Sequence, residues 1–452
     1  MKLRARNTLV IIGALGLLTG VWANSLAATQ KVDVSPDSIL APASVTAPAP
    51  TASAKSVPSD CLSEVSTTES GVGSTNQVYA ATFTGTPTAP LALCPKEGFD
   101  VQIHSRDPST WTSLEAMEAN HGSHCAGPPA VHSMNGDYRS AVFQCKDHVM
   151  TAIRASGYGV IYLTPARMVD LHDRGTVSFD MSTHRSSTRD WVDVWITPYN
   201  DNIALPFDDG DVDLQGIPRN GIHISNGNSQ GNWTVDTISN FVPTKLYESY
   251  DGIAIDKDIS STVDQSATRQ TFRVSLSRTH IQLVRLASDS GPAITYVDKD
   301  VADVGFDRGV VQFGHHSYNP TKDNAGTPAT WHWDNLTIFP AVPFDIINAD
   351  RRFAEGPEQI VKFFKVAPAN GHLRFSGIGT VEVSFDGGPW KPAVKAAASK
   401  STDGYHPEHL SSYWTPVPAA TSSVRFRFSP EQWYRGPYIA KDISVWASVP
   451  DS

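Results

Sequence analysis

Glutamate is scarce in this 452-residue chain: most of its 46 acidic residues are Asp. Glu favours helices, whereas Asp, Gly and Pro favour turns, and the chain carries 32 Gly and 31 Pro. Long helices are therefore excluded as the main architecture. Long apolar runs are missing outside the N-terminus, so no later segment reads as a membrane span. Cysteine is limited to Cys61, Cys94, Cys125 and Cys145, and no C-x-x-C occurs, which argues against a structural zinc site. Walker, G-x-S-x-G and H-E-x-x-H patterns are absent, which removes the chemistries they carry. Basic residues are in deficit, 36 against 46 acidic, for a net charge of −10. An acidic surface repels polyanions, so nucleic acid and anionic membranes are excluded as partners. Acidic polysaccharides are disfavoured unless a local basic cleft overrides the net charge.

The first 28 residues read as an export signal. Lys2, Arg4 and Arg6 precede the apolar run "TLVIIGALGLLTGVW", and "ANSLAA" ends it with small residues. Cleavage is expected near Ala27 or Ala28, taking the net charge to −13 with the loss of those three cations. The mature protein is then expected to be secreted, with no membrane span. An even number of cysteines in an exported chain suggests disulfides. Pairs adjacent in sequence, Cys61–Cys94 and Cys125–Cys145, are favoured, since they close short loops.

Residues 29–60 are rich in Pro, Ala, Ser and Thr and read as a linker that buries no core. Ordered sequence is expected from "QVYAATFTG" onward. Residues 61–345 then form a strand series, including "FDVQIHS", "YGVIYLTP", "GTVSFDMST", "DWVDVWITP", "NGIHISN", "QTFRVSLS", "GVVQFGHHSY" and "TWHWDNLTIF". A single helix is expected near "STWTSLEAMEANHG". "FPAVPFDIINADRR" reads as a boundary, and 346–452 as a second, smaller β-sandwich. The whole is an all-β architecture of sandwich or barrel type.

Side chains alternate along a strand. In "DWVDVWITP", Val192, Val194 and Ile196 share a face fit for a core, leaving Trp191, Asp193 and Trp195 on the other. By the same alternation His223 lies opposite Ile222 and Ile224, and Gln312, His316 and Tyr318 lie opposite Val311 and Phe313. In the last strand Trp331 and Trp333 oppose Asp334, Leu336 and Ile338. If these strands share a sheet, Trp191, Asp193, Trp195, His223, Gln312, His316, Tyr318, Trp331 and Trp333 make one polar and aromatic surface. Rings stack on sugar faces and polar groups take hydroxyls, so the pattern reads as a glycan cleft. The competing reading places the tryptophans in a core, where Trp is usually buried.

On the strand series, on "DWVDVWITP" and on "WHWDNLTI", the chain resembles the concanavalin A-like lectin/glucanase superfamily, with its laminarinase-like and laminin-G-like jelly rolls. The resemblance covers roughly residues 75–342 and implies a jelly-roll sandwich. Its hydrolases carry E-x-D-x-E on one strand, with two carboxylates about 5 Å apart for retaining hydrolysis. Here Trp191-x-Asp193-x-Trp195 keeps the central Asp alone, and the only Glu between 119 and 354 is Glu248. The resemblance also implies a structural calcium held by an Asp of the last strand, at the position of Asp334. A second resemblance, to jelly-roll alginate lyases, lies in Arg189, "GIHIS" and "QFGHHSY". It implies Arg189 as charge neutraliser and His223, His316 and Tyr318 as base and acid. Three classes stand open: a secreted protein that recognises a glycan, a hydrolase or lyase acting on one, and a cell-surface interaction protein.

Overall fold

The computed structural model describes residues 65–70, 77–83, 99–105, 140–145, 148–153, 158–183, 189–199, 218–227, 232–240, 242–248, 270–288, 292–318, 330–350, 353–355, 359–377, 380–396, 411–429 and 439–448. The export signal, the linker, the expected helix, Cys61, Cys94 and Cys125 lie outside these residues. Arg189, Trp191, His315, His316, Tyr318, Trp331 and Cys145 are placed by their backbone alone. No helix among the described residues is long and apolar enough to cross a membrane.

Residues 56–452 form one unit, built of antiparallel strands. One sheet runs in the order Val65–Ser70, Val78–Phe83, Thr330–Phe339, Gly175–Thr183, Gln270–Ser277, His280–Arg285, Ile294–Asp300. The larger sheet runs Val242–Glu248, Asn232–Ser239, Gly221–Gly227, Arg189–Pro198, Arg308–Tyr318, Arg167–Asp170, Ala341–Asn348, and continues through Ile439–Ser448 and Gly371–Gly377 to Ser411–Pro416. Phe99–Ser105 joins it through Tyr158–Pro165, which pairs with Arg308–Tyr318.

The two sheets bury one core between them, as the alternation predicts. Val192, Val194, Ile196, Ile222, Ile224, Val311 and Phe313 come from the larger sheet, and Val177, Phe179, Met181, Phe272 and Val274 from the other. Burial of each such side chain contributes about 1.5–3 kcal/mol. The result is an all-β jelly-roll sandwich. The strand Val65–Ser70 lies ahead of the point where ordered sequence was expected.

Residues 341–348, which read as a boundary, form a strand shared by both parts of the unit. Ala341–Pro343 pair with Arg167–Met168–Val169, while Phe344–Asn348 pair with the Ile439–Ser448 strand. Beyond it a second core is built from Val361, Leu373, Phe375, Val381, Val383, Val424, Phe426 and Val445, covered by the four-stranded sheet that contains Thr380–Phe385 and Ser423–Ser429. The "DGG" signal forms the expected tight turn: Asp386 and Gly387 both take positive φ, 47° and 75°, and the Gly388 N–H donates to the Phe385 carbonyl.

One strand departs from simple alternation. In Thr330–Phe339, Asn335 has φ 49° and the register against Gly175–Thr183 breaks between Asp334 and Thr337. This is a β-bulge, with two residues opposing one. It changes the phase of the strand. Trp333 therefore joins Leu336 and Ile338 in the core, against Phe179 and Phe313, and Asp334 turns the other way. The expected pairing of Asp334 with the Leu336 face is corrected accordingly.

Candidate functional site

The face of the larger sheet that the core does not use carries a connected polar group. Asp193 and Trp195 come from Arg189–Pro198, His223 from Gly221–Gly227, Asp236 from Asn232–Ser239, Tyr162 and Thr164 from Tyr158–Pro165, and Gln312 from Arg308–Tyr318. Register sets their meeting: Trp195 stands opposite His223 on one side and Gln312 on the other, and His223 opposite Asp236.

Asp193 is fully buried. Its carboxylate accepts a hydrogen bond from the Tyr162 hydroxyl at 2.9 Å and lies 2.7 Å from His223 Nε2. His223 Nδ1 faces the Asp236 carboxylate at 3.8 Å. Burial alone lowers the affinity of His223 for its proton. Hydrogen bonding and charge from Asp193 and Asp236 outweigh that and push its pKa up to about 9. The ring is thus an imidazolium at neutral pH, stacked on the Trp195 indole with centroids 3.8 Å apart and planes 11° from parallel. A cation on the face of Trp is favourable in itself. Burial and the Asp193 charge together push the Tyr162 phenol well above its ordinary value, so it stays a donor. The Trp195 N–H leans toward the Tyr162 oxygen without closing a hydrogen bond. Beside this group Gln312 donates to the Thr164 hydroxyl at 3.0 Å.

The expected cleft set is only partly brought together. Asp193, Trp195, His223 and Gln312 do share this face. They form a covered floor, with Asp193 and Gln312 at 0% exposure, Trp195 at 7% and the His223 side chain at 17%. Trp331 and Trp333 belong to the opposite sheet, and Trp333 is a core residue at 1% exposure. The expectation that these two line the cleft is corrected: the strand that carries them is not a neighbour of Arg189–Pro198. Tyr162, Thr164 and Asp236 were not anticipated. The alternation of "YGVIYLTP" marks Tyr162 and Thr164 as one face, but nothing in it says which strand lies alongside.

Among the lyase-type candidates, the backbone sets Arg189 opposite Tyr318 and Trp191 opposite His316. Trp191 and Trp195, the rungs of His316 and His223, are four residues apart, roughly 13 Å along the sheet. His223 presents both ring nitrogens to carboxylates and holds its proton, which is not the state of a general base.

Among the described residues no three His, Cys, Asp or Glu side chains are grouped to hold a metal ion. Asp334 lies opposite Asp180 across the ladder. Both Asp180 oxygens are engaged, one by the Thr271 hydroxyl and one by the Asn335 amide, each at 2.6 Å. Calcium takes six to eight oxygens, backbone carbonyls among them, so this pair by itself does not make up a calcium site. EDTA chelation of the purified protein followed by a calorimetric scan tests the expected calcium: a fall of several degrees, reversed by calcium, would place the ion, and an unchanged melting temperature would remove it.

No family model matches the chain, and a search of curated proteins returned no match. Similar solved structures are concanavalin A-like jelly rolls. Lectin II from Ulex europaeus is 10% identical, with 47% of this chain and 95% of the lectin covered and a TM-score of 0.30. A non-specific endo-β-1,3(4)-glucanase of glycoside hydrolase family 16 is 11% identical, with 62% and 97% covered and a TM-score of 0.32. The exoplasmic/lumenal domain of VIP36, in a form bound to Ca2+ and Man3GlcNAc, is 11% identical, with 45% of this chain and 82% of that domain covered and a TM-score of 0.29.

 At these identities the likeness is one of fold.

Proposed function

We propose that the protein is an exported glycan-recognising protein, and that its ligand, a polysaccharide, docks on the outer face of the larger sheet. The observation that carries this is the imidazolium–indole stack of His223 on Trp195, anchored by Asp193 and Asp236. A floor anchored this way presents the Asp236 carboxylate, 15% exposed, as its hydrogen-bonding edge at the part of the network that reaches solvent. By alternation Trp191 stands on the same face, two residues from Asp193. It would supply the stacking surface that sugars use. The E-x-D-x-E pattern is absent, so the reading is of binding without hydrolysis by a carboxylate pair. Export, cleavage near Ala27 or Ala28 and pairing of the four cysteines belong to the same proposal.

The test is a glycan array on the mature protein, followed by titration of the strongest hit with Trp191→Ala and Asp236→Asn. Both variants are expected to keep the wild-type melting temperature within a few degrees and to bind about tenfold or more weakly, the loss of one stacking or charged hydrogen-bonding contact. No hit on the array, or variants that bind like wild type, would overturn the reading. New reducing ends or an absorbing double bond in the product would replace it with an enzymatic one.

A further inference from the structure

A second polar group lies at one end of the jelly-roll core, between the sheets and away from the outer face. Arg285 closes the His280–Arg285 strand and stands opposite Phe272, on the core side with Ile281 and Leu283. It is 6% exposed. A buried guanidinium is normally matched by a carboxylate, because an unpaired buried charge is costly. Among the described residues Arg285 has neutral partners alone. One terminal nitrogen donates to Gln270 Oε1 at 3.4 Å and the other to the Pro292 carbonyl at 3.3 Å, both long, and Nε has no acceptor.

Three further donors are linked to it through Phe272 and Tyr296. Among the described residues the Tyr296 hydroxyl, the Trp233 indole N–H and the Asn226 amide nitrogen are buried and close no hydrogen bond, the Trp233 N–H leaning toward the Tyr296 oxygen. Trp233 and Tyr296 pack with ring centroids 5.4 Å apart, and Asn226 stands opposite Trp233 across the ladder. Trp233 also lies on Phe272, centroids 5.0 Å apart. The Arg285 charge bears on Tyr296, opposing the rise in its pKa that burial causes. The group thus draws on four strands and both sheets. It offers one positive charge and several N–H and O–H donors, and supplies almost no acceptors of its own. Buried polar groups in folded proteins are nearly always satisfied, and what would satisfy this set is an anion.

We propose that this end of the sandwich is a binding site for an oxyanion, held by Arg285 with Trp233, Tyr296 and Asn226 as donors. The shared chemistry is that of a carboxylate, such as a uronic acid carries, and of inorganic phosphate or sulfate. The site is independent of the glycan face.

The experiment titrates the full mature chain with sodium glucuronate, phosphate or sulfate against chloride at matched ionic strength. It reads tryptophan fluorescence and melting temperature, since Trp233 is within the site. The expected result is a saturable fluorescence change and a rise in melting temperature with at least one oxyanion. Response to glucuronate alone assigns a carboxylate; response to phosphate or sulfate assigns an inorganic oxyanion. Arg285→Gln should abolish the response, and Tyr296→Phe should weaken it by about tenfold, one hydrogen bond to a charged group. If Arg285→Gln does not fold, Tyr296→Phe and Asn226→Leu carry the comparison. Absence of any saturable response in the wild type beyond chloride overturns the proposal, as does an equal response in all the variants.

Discussion

His223→Ala is expected to destabilise the protein by about 3–5 kcal/mol, the usual cost of leaving one member of a buried ion pair alone. Asp193, fully buried, would lose its cation while the Tyr162 hydroxyl still donates to it. The loss should appear as a large fall in the denaturant midpoint. Asp193→Asn should cost less, because the amide oxygen still accepts a hydrogen bond and His223 can shed its proton once the buried carboxylate is gone. The same network makes stability depend on pH. The folded pKa of His223, about 9, lies above its ordinary value of 6.5. Its protonation therefore stabilises the fold fully below pH 6.5, and that contribution is lost as pH rises toward and through 9. The shift corresponds to about 3 kcal/mol between those limits. Melting temperatures of wild type and His223→Gln, taken from pH 6 to 10, test this. The wild type should fall over that range, and the variant should show a much flatter profile. Parallel profiles would mean that His223 does not hold its proton in the folded state.

Breaking the Asp100–Arg374 pair should have an effect of the same size. Both side chains are 1% exposed, and Arg374 donates to the Asp100 carboxylate. The guanidinium also lies over the Trp446 ring, 4.3 Å from its centroid, and the Trp446 N–H donates to Ser444 at 3.1 Å. Asp100 belongs to Phe99–Ser105 and Arg374 to Gly371–Gly377, so the pair joins distant parts of the chain across one sheet. Asp100→Leu alone is expected to cost about 3–5 kcal/mol, since it takes the hydrogen-bonding carboxylate from a buried guanidinium and leaves it to the charge of Asp442. Adding Arg374→Met should recover most of that loss, because well-packed apolar replacements of a buried pair are often neutral. Equilibrium unfolding of the two single variants and the double variant decides the matter. Additive losses would show that the pair is not coupled.

Much of the fold was legible in short stretches. Alternation assigned the core faces of Arg189–Pro198, Gly221–Gly227 and Arg308–Tyr318, because a half-buried strand must put every second side chain in the core. The strand Ala341–Asn348 was not legible: Pro340 and Pro343 look like breakers, and a strand bearing Pro is found mainly where a ladder bond is missing. Trp333 was misplaced because one residue of bulge reverses the phase of everything after it. The candidate site was half legible. Asp193, Trp195, His223 and Gln312 were assigned to one face, but Tyr162 and Asp236 depend on which strands are neighbours, and sheet order is a matter of long-range pairing. Nor does alternation tell a covered polar face from an open one. That is why a cleft was expected where the network is in fact mostly buried.

The bulge at Asn335 also marks a division of labour along one edge. Before it, Thr330–Trp333 pair with His148–Ile153; after it, Leu336–Ile338 pair with Val78–Phe83. On the other edge a single strand, Gly175–Thr183, runs past both halves. A ribbon from a third of the way along the chain and one from near its start thus pair end to end along the same strand. The interruption separates their two ladders, so that neither has to continue the other's register.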